Sequence, residues 1–255
     1  MSISPVAKHA GLCILYTNKG AVNGRRRGSA SVTIVCEIAF AVTAGTAPSV
    51  TAASVRRNFA TLPELASLDF YAPAAAETHD PYVQDGPAPA HLAMLAFASA
   101  EVLAKAANVS AFAAGLSGMS AVTCTAMRYL PYPVAGQNSP APLLSRFSYV
   151  VRYYRPADDE AAFVKHYLDD HPSLLGRFPG IRNVMCYIPL PWRHPGGPPP
   201  ADYMLGNEVV FADADAFAAA MASPVRHELR AHYRTFPRFT GANTHFAMER
   251  TRLVG

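Results

Sequence analysis

The stretch from Arg152 to Tyr187, RYYRPADDEAAFVKHYLDDHPSLLGRFPGIRNVMCY, constrains the fold of this chain more than any other. Phe147 to Tyr154 is aromatic and β-branched, the composition that suits a pleated, half-buried surface. Pro156 cannot continue a ladder, so the strand ends before it. Asp158, Asp159 and Glu160 then fall where free N–H groups and the helix dipole favour negative charge. Ala162, Phe163, His166 and Tyr167 recur at helical spacing and predict the buried face of a short helix. Asp169 and Asp170 lie near its end, where negative charge is unfavourable, which points to a partner for one of them; His171 is adjacent. Pro172 disfavours helical geometry at His171, so the helix is expected to stop there. A second strand is expected after Pro179-Gly180.

This stretch resembles the EthD family, a branch of the dimeric α+β barrel superfamily. The family pattern is a strand, an Arg-Pro turn, and an aromatic residue followed at helical spacing by a Trp or Tyr, then by His and Pro. Phe163, Tyr167, His171 and Pro172 match it, followed by Leu174 and the Pro179-Gly180 turn. Ser223-Pro224 and the closing Thr244-His245-Phe246 also fit. The resemblance covers about residues 147 to 251 and implies that His171 lies at a pocket. Relatives in the superfamily include polyketide cyclases, decarboxylases, dehydratases, isomerases and small oxygenases.

The first half offers a fainter copy of this layout. His91 to Phe97 reads as a strand, Ser99 as a cap, Ala100 to about Val109 as a helix with Glu101 in its first turn, and Ala121 to Leu130 as a strand. Tyr203 to Phe211, Asp213 and Ala214 to Ala222 repeat that order. Two ferredoxin-like βαββαβ units in tandem, an α+β fold forming a barrel-like pseudo-dimer, are therefore expected. The units are placed at 1–135 and 147–255, with a Pro/Gly linker at 136–146. Gly11 to Thr17 is the expected first strand. Residues 21 to 60 contain no histidine or tryptophan and show no clean helical period, so the first unit is expected to lack half of its site. Loss of one site after duplication, or a shifted reading frame between about Gly24 and Arg57, would each explain this.

Charged residues make up 16% of the 255, against a usual ~25%. So little charge implies surface hidden in a second layer or in a homo-oligomeric contact. The net charge of +4 comes from scattered arginines, without the aromatic interleaving that single-strand nucleic-acid binders use; no nucleic-acid partner is expected. The four cysteines, at 13, 36, 124 and 186, form no C-x-x-C pair or zinc spacing and read as reduced core residues of a cytoplasmic protein. Met1 to Lys19 does not read as a secretory leader. The apolar run Ser31 to Ala44 is too short to span a bilayer and carries Glu37, so no membrane anchor is expected.

His171 leads the residues that could carry chemistry. It is either a general acid or base, with Asp170 holding its tautomer or charge, or a turn-fixing donor to a backbone carbonyl. Tyr153 and Tyr167 could line a pocket or simply fill an aromatic core. Arg155 could bind a carboxylate or pair with Asp158 or Asp159. His245, on the closing strand, is expected to face the barrel interior. His227 and His232 are five residues apart, a poor spacing for one helix face, and no H-E-x-x-H occurs, so no metal is expected. GLSGM at 115–119 lacks the last glycine of a nucleophile elbow, and no phosphate-binding glycine loop is present, so no cofactor is expected. The reading that results is a cofactor-independent enzyme. It would act on a small apolar, aromatic or polyketide-like molecule held in the barrel, through proton transfer by His171. That activity would be of lyase, isomerase or cyclase type, or an EthD-like role in oxidative catabolism. The alternative is a non-catalytic small-molecule-binding accessory protein.

Overall fold

An apolar run without alternation folds as a strand when both of its faces are covered, and Ile34–Phe40 (β1) is such a strand. The computed structural model describes residues 32–40, 50–74 and 91–255; the strand expected at 11–17 lies outside them. Six helices and eight strands occur among these residues. After β1 come Ala52–Phe59 (α1), Ser67–Pro73 (β2), His91–Phe97 (β3), Ala100–Ala107 (α2), Ser110–Gly118 (α3) and Ala121–Tyr132 (β4). Phe147–Tyr154 (β5), Glu160–Leu175 (α4), Asn183–Pro189 (β6), Tyr203–Phe211 (β7), Ala214–Met221 (α5), Pro224–Tyr233 (α6) and Asn243–Val254 (β8) follow.

Local chemistry explains most of these boundaries. The backbone N–H of Ala162 donates to the Asp159 carboxylate at 2.9 Å, and that of Ala216 donates to Asp213 at 2.8 Å, so both helices are capped as their sequences predict. α1 starts in a reciprocal capping box: Ser54 N–H donates to the Thr51 hydroxyl, and Thr51 N–H donates to the Ser54 hydroxyl. A helix with a buried aromatic, Phe59, thus does follow the first described strand, in the segment that shows no period in the sequence. α4 does not stop at His171. It runs through Pro172 to Leu175, because His171, Pro172 and Leu175 are all buried there. That burial offsets a missing N–H and a ring clash that together cost about 3 kcal/mol. Cys36, Cys124 and Cys186 are buried free thiols.

The strands close into a barrel in the order β1-β3-β2-β8-β5-β7-β6-β4, and every neighbouring pair is antiparallel. Alternate side chains point out or in. Outward residues of β1 to β4 pack with α1, α2 and α3 around Phe59, Phe97 and Phe112. Outward residues of β5 to β7 pack with α4, α5 and α6 around Phe163, Tyr167 and Phe217. Inward residues, including Met94, Met127, Val150 and Met248, form a third cluster inside the ring.

That interior is also polar. β1 and β5 stand opposite each other in the ring, yet Glu37 and Arg152 meet as an ion pair, both nearly fully buried. The Tyr203 hydroxyl donates to Glu37 at 2.9 Å. Arg152 also donates to the carbonyls of Val151 and Asn207 and lies near the rings of Tyr187 and Tyr203. Burial works against the charge of Arg152, but Glu37 holds its affinity for the proton above the ordinary arginine range. A methyl group at Gly206 would come within 2.8 Å of Arg152 Nη1, so the guanidinium requires glycine there. Glu208, fully buried, accepts from Ser148 at 2.6 Å, Tyr187 at 2.7 Å and Tyr71 at 3.1 Å. Arg250 and Arg252 both reach Asp69 at 2.6 Å. Side chains from facing walls therefore meet inside the ring, where a ligand space was expected.

Removing one member of the pair strands the other charge in low dielectric. Glu37→Ala is expected to lower unfolding free energy by about 3–5 kcal/mol, and the double variant Glu37→Leu/Arg152→Met by much less. Urea denaturation of the three proteins checks this; equal losses in the single and the double variant would contradict it.

Candidate functional site

The side chains with chemical capacity gather on the other side of the sheet, between β5 and the helices α4 and α6. Tyr153 points outward from β5, since its neighbour Arg152 points in. Its ring centroid lies 5.5 Å from that of Phe163 and 5.5 Å from that of Tyr167. One helical turn beyond Tyr167, His171 lies tilted against it, ring centroids 4.6 Å apart. Phe236, just after α6, closes the layer, with its ring 5.6 Å from Tyr167 and 5.2 Å from His171. The Asn207 amide, from β7, donates to the Tyr167 hydroxyl. The sequence-predicted residues Tyr153, Tyr167 and His171 are thus brought together, in the helix layer and not in the barrel interior.

His171 is buried and, among the described residues, makes one polar contact, from its Nδ1 to Nδ1 of His232 on α6 at 3.0 Å. His232 is half-buried and stacks on His166, ring centroids 5.2 Å apart and planes 8° from parallel. His166 Nε2 in turn meets the Thr235 hydroxyl at 3.0 Å. Burial, then the neighbouring His232 and the charge of Arg226, lowers the proton affinity of His171 from 6.5 to about 3. Burial and His166 also lower that of His232, while the Asp170 carboxylate works the other way. Burial pushes the phenols of Tyr153 and Tyr167 up. The layer thus presents a neutral imidazole and two neutral phenols near neutrality, with burial opposing the charged form of each.

The other predicted residues stand elsewhere. Arg155 is exposed and pairs with Glu160 at 2.9 Å and Asp202 at 3.4 Å, not with Asp158 or Asp159. Asp170 is exposed, and its charge acts on His232. The acidic residue with a lysine partner is Asp169, bound to Lys165 at 2.5 Å. His245 does not face the interior. Phe246 and Met248 do, whereas His245 stands beside Tyr149, 5.8 Å between centroids, at the Phe217 end of the outer layer.

Two members of the site were not singled out by sequence. His232 drew notice only as one of a poorly spaced histidine pair, because its partner lies on another helix. Asn207 and Glu208 are two polar residues inside the apolar strand YMLGNEVVF, and that interruption was the available signal. Among the described residues, no group of three or more His, Cys, Asp or Glu side chains is placed to hold a metal ion. Nor is any of their helices long and apolar enough to cross a membrane.

Residues 155–237 match the EthD domain. Among solved structures, an anthrone oxidase-like protein is similar over 87% of this chain and 93% of its own, with a TM-score of 0.59 and 11% identity. A protein provisionally described as a monooxygenase, from Fusobacterium nucleatum subsp. nucleatum, matches over 87% and 94% with a TM-score of 0.53 and 10% identity. An EthD-family protein from Bacillus halodurans is 21% identical over 39% of this chain and 96% of its own, with a TM-score of 0.31. No curated protein matches the chain significantly in sequence.

The depressed affinity of His171 makes stability depend on pH. Below 6.5 the unfolded chain takes up a proton at this residue that the folded chain refuses until about 3. His171 therefore costs nothing above pH 6.5 and progressively destabilises the fold as pH falls, by up to about 1.4 kcal/mol per pH unit. Denaturant melts of wild type and His171→Gln from pH 7 to pH 4 are expected to show a shallower decline in the variant; parallel curves would contradict this.

Proposed function

We propose that this chain is a cofactor-independent enzyme that acts on a small, flat aromatic molecule, with His171 as the proton-transfer group. The carrying observation is a buried, neutral imidazole set against Tyr167 and Phe236. The aromatic layer suits a planar, largely apolar ligand. Tyr167, itself held by Asn207, and Tyr153 would orient a ligand oxygen. The buried Asn207 Oδ1 has no partner among the described residues and is an acceptor left over for a ligand hydroxyl. Arg226, whose charge already reaches His171, would favour the enolate or phenolate that forms when a proton leaves such a ligand. The likeness to an anthrone oxidase-like protein and to a candidate monooxygenase supports an oxidative role on an aromatic ketone or phenol.

The same reading takes the chain as two ferredoxin-like units in tandem, at 1–135 and 147–255 with a linker at 136–146. The strand order supports it: β4-β1-β3-β2 in one half and β8-β5-β7-β6 in the other occupy equivalent places in the ring. His171 and His232 both lie in the second unit, so one site per chain is expected.

A thermal-shift panel of polycyclic phenols and aromatic ketones tests the proposal on wild type, His171→Ala and Tyr167→Phe. A ligand at 100 times its dissociation constant adds about 2.7 kcal/mol, or roughly 5–10 °C for a chain of this size. At least one compound is expected to shift wild type and His171→Ala alike and to be turned over, by chromatography with mass detection, in wild type alone. Binding without turnover in wild type would leave a non-catalytic binding protein, and no binding would remove the reading.

A further inference from the structure

We propose that His232 is the positioning residue of this site: it holds His171 in the tautomer protonated at Nδ1, leaves Nε2 as the base, and carries the proton out to water. The proposal rests on the reading of His171 as the proton-transfer group.

The geometry is that of two imidazoles meeting Nδ1 to Nδ1 at 3.0 Å. Two bare nitrogens would repel there and two N–H groups would clash, so the pair holds one proton, and the two rings must be opposite tautomers. Burial decides which ring donates. Among the described residues Nδ1 is the one atom of His171 with a polar partner, and the ring lies against Tyr167 and Phe236. Were His171 the acceptor, the N–H would sit on its Nε2, at the edge of an aromatic layer that offers it no acceptor among the described residues. As the donor it keeps a bare Nε2. His232 is half-buried, so its own Nε2–H can face water.

The proton balance follows. A C–H or O–H bond of the ligand breaks and an N–H forms at His171 Nε2. The Nδ1–H of His171 passes to Nδ1 of His232, leaving His171 neutral. His232, now cationic, gives its Nε2 proton to water. One proton has gone from ligand to solvent, and both rings have exchanged tautomers; the pair resets when water returns a proton to His232 Nε2, the Nδ1 proton passes back to His171, and His171 Nε2–H is delivered to another atom of the bound molecule. His232 is suited to the brief positive charge that buried His171 resists. Burial and the His166 ring lower its proton affinity, so it does not hold the proton, while the Asp170 carboxylate works the other way.

Long-range proton–nitrogen NMR of the histidine side chains, near neutral pH and without ligand, tests this directly. Wild type is expected to show His171 protonated at Nδ1 and His232 at Nε2. His232→Ala is expected to give a tautomer mixture at His171. His232→Asn, whose amide oxygen can accept where Nδ1 did, is expected to keep the wild-type tautomer but to lose about 100-fold or more in turnover for want of a relay. His171 protonated at Nε2 in wild type, an unchanged tautomer in His232→Ala, or full turnover in His232→Asn would overturn the proposal. The NMR result needs no substrate, so it stands or falls separately from the aromatic-ligand reading. Circular dichroism of both variants separates a lost tautomer from a lost fold.

Discussion

The Glu37–Arg152 pair is the constraint from which the rest of the arrangement follows. Taking two ions out of water costs several kcal/mol each. That cost is bearable only because Tyr203, two backbone carbonyls and two aromatic rings complete the surroundings. The pair joins strands that face each other across the ring, so it fixes the two walls at one separation. It also demands a glycine at 206, because no other residue leaves the guanidinium room. With Glu208 held by hydroxyls from β2, β5 and β6, the interior becomes a polar lattice that ties the two halves together. A barrel braced in this way has its inner faces committed, which leaves the outer faces, under the helices, for chemistry.

The two helix layers use that freedom differently. In the first half, Phe59 and Phe112 pack edge to face, and a methyl group at Gly115 would lie 2.7 Å from the Phe59 ring. The segment after β6 crosses to this side: Leu190 and Trp192 pack against its core, and His194, stacked on Phe112, bonds the Ala107 carbonyl. This layer is filled by apolar contact. In the second half the corresponding space holds Tyr153, Tyr167, His171 and His232, whose polar atoms must find partners in pairs. A longer α4 makes this possible. Its second half carries His171, and α1 ends well before any such position.

What could be read from the sequence was local. The course from β5 into α4 was legible because alternation, a proline stop and an aspartate cap act within a few residues of one another. Phe163 and Tyr167 declared a shared face by spacing, and His171 joined them only through the family pattern. β1 was not legible, because burial on both sides erases alternation, and Glu37 registered only as an objection to a membrane span. Its meaning lies in Arg152, 115 residues away. His232 was hidden for the same reason, since its partner is 61 residues distant on another helix. The end of α4 was misread because Pro172 is a strong local signal that the burial of its own turn overrides. His245 was placed inward because one closing strand offers two faces, and only the register against β5 chooses between them.

The separation of charge from neutrality across the sheet narrows what the site can do. Arg152, Glu37, Glu208, Asp69 and Arg250 all lie inside the ring, while the layer outside β5 contains phenols, an amide and imidazoles. A backbone-thick wall thus separates the interior charges from the place where protons would move, where Arg226 and Asp170 act from the helix side. In such a layer a base must be neutral before it acts, and a neutral imidazole is the side chain that can accept a proton there without first losing one. The charge it acquires cannot stay, because the burial that keeps His171 neutral also opposes the imidazolium. A route to a less buried partner is therefore a requirement of the site, and α6 supplies a half-buried imidazole at hydrogen-bonding distance. The His171–His232 contact is best understood as the consequence of putting a base in an apolar layer, and the aromatic walls that select a planar ligand are the same walls that impose it.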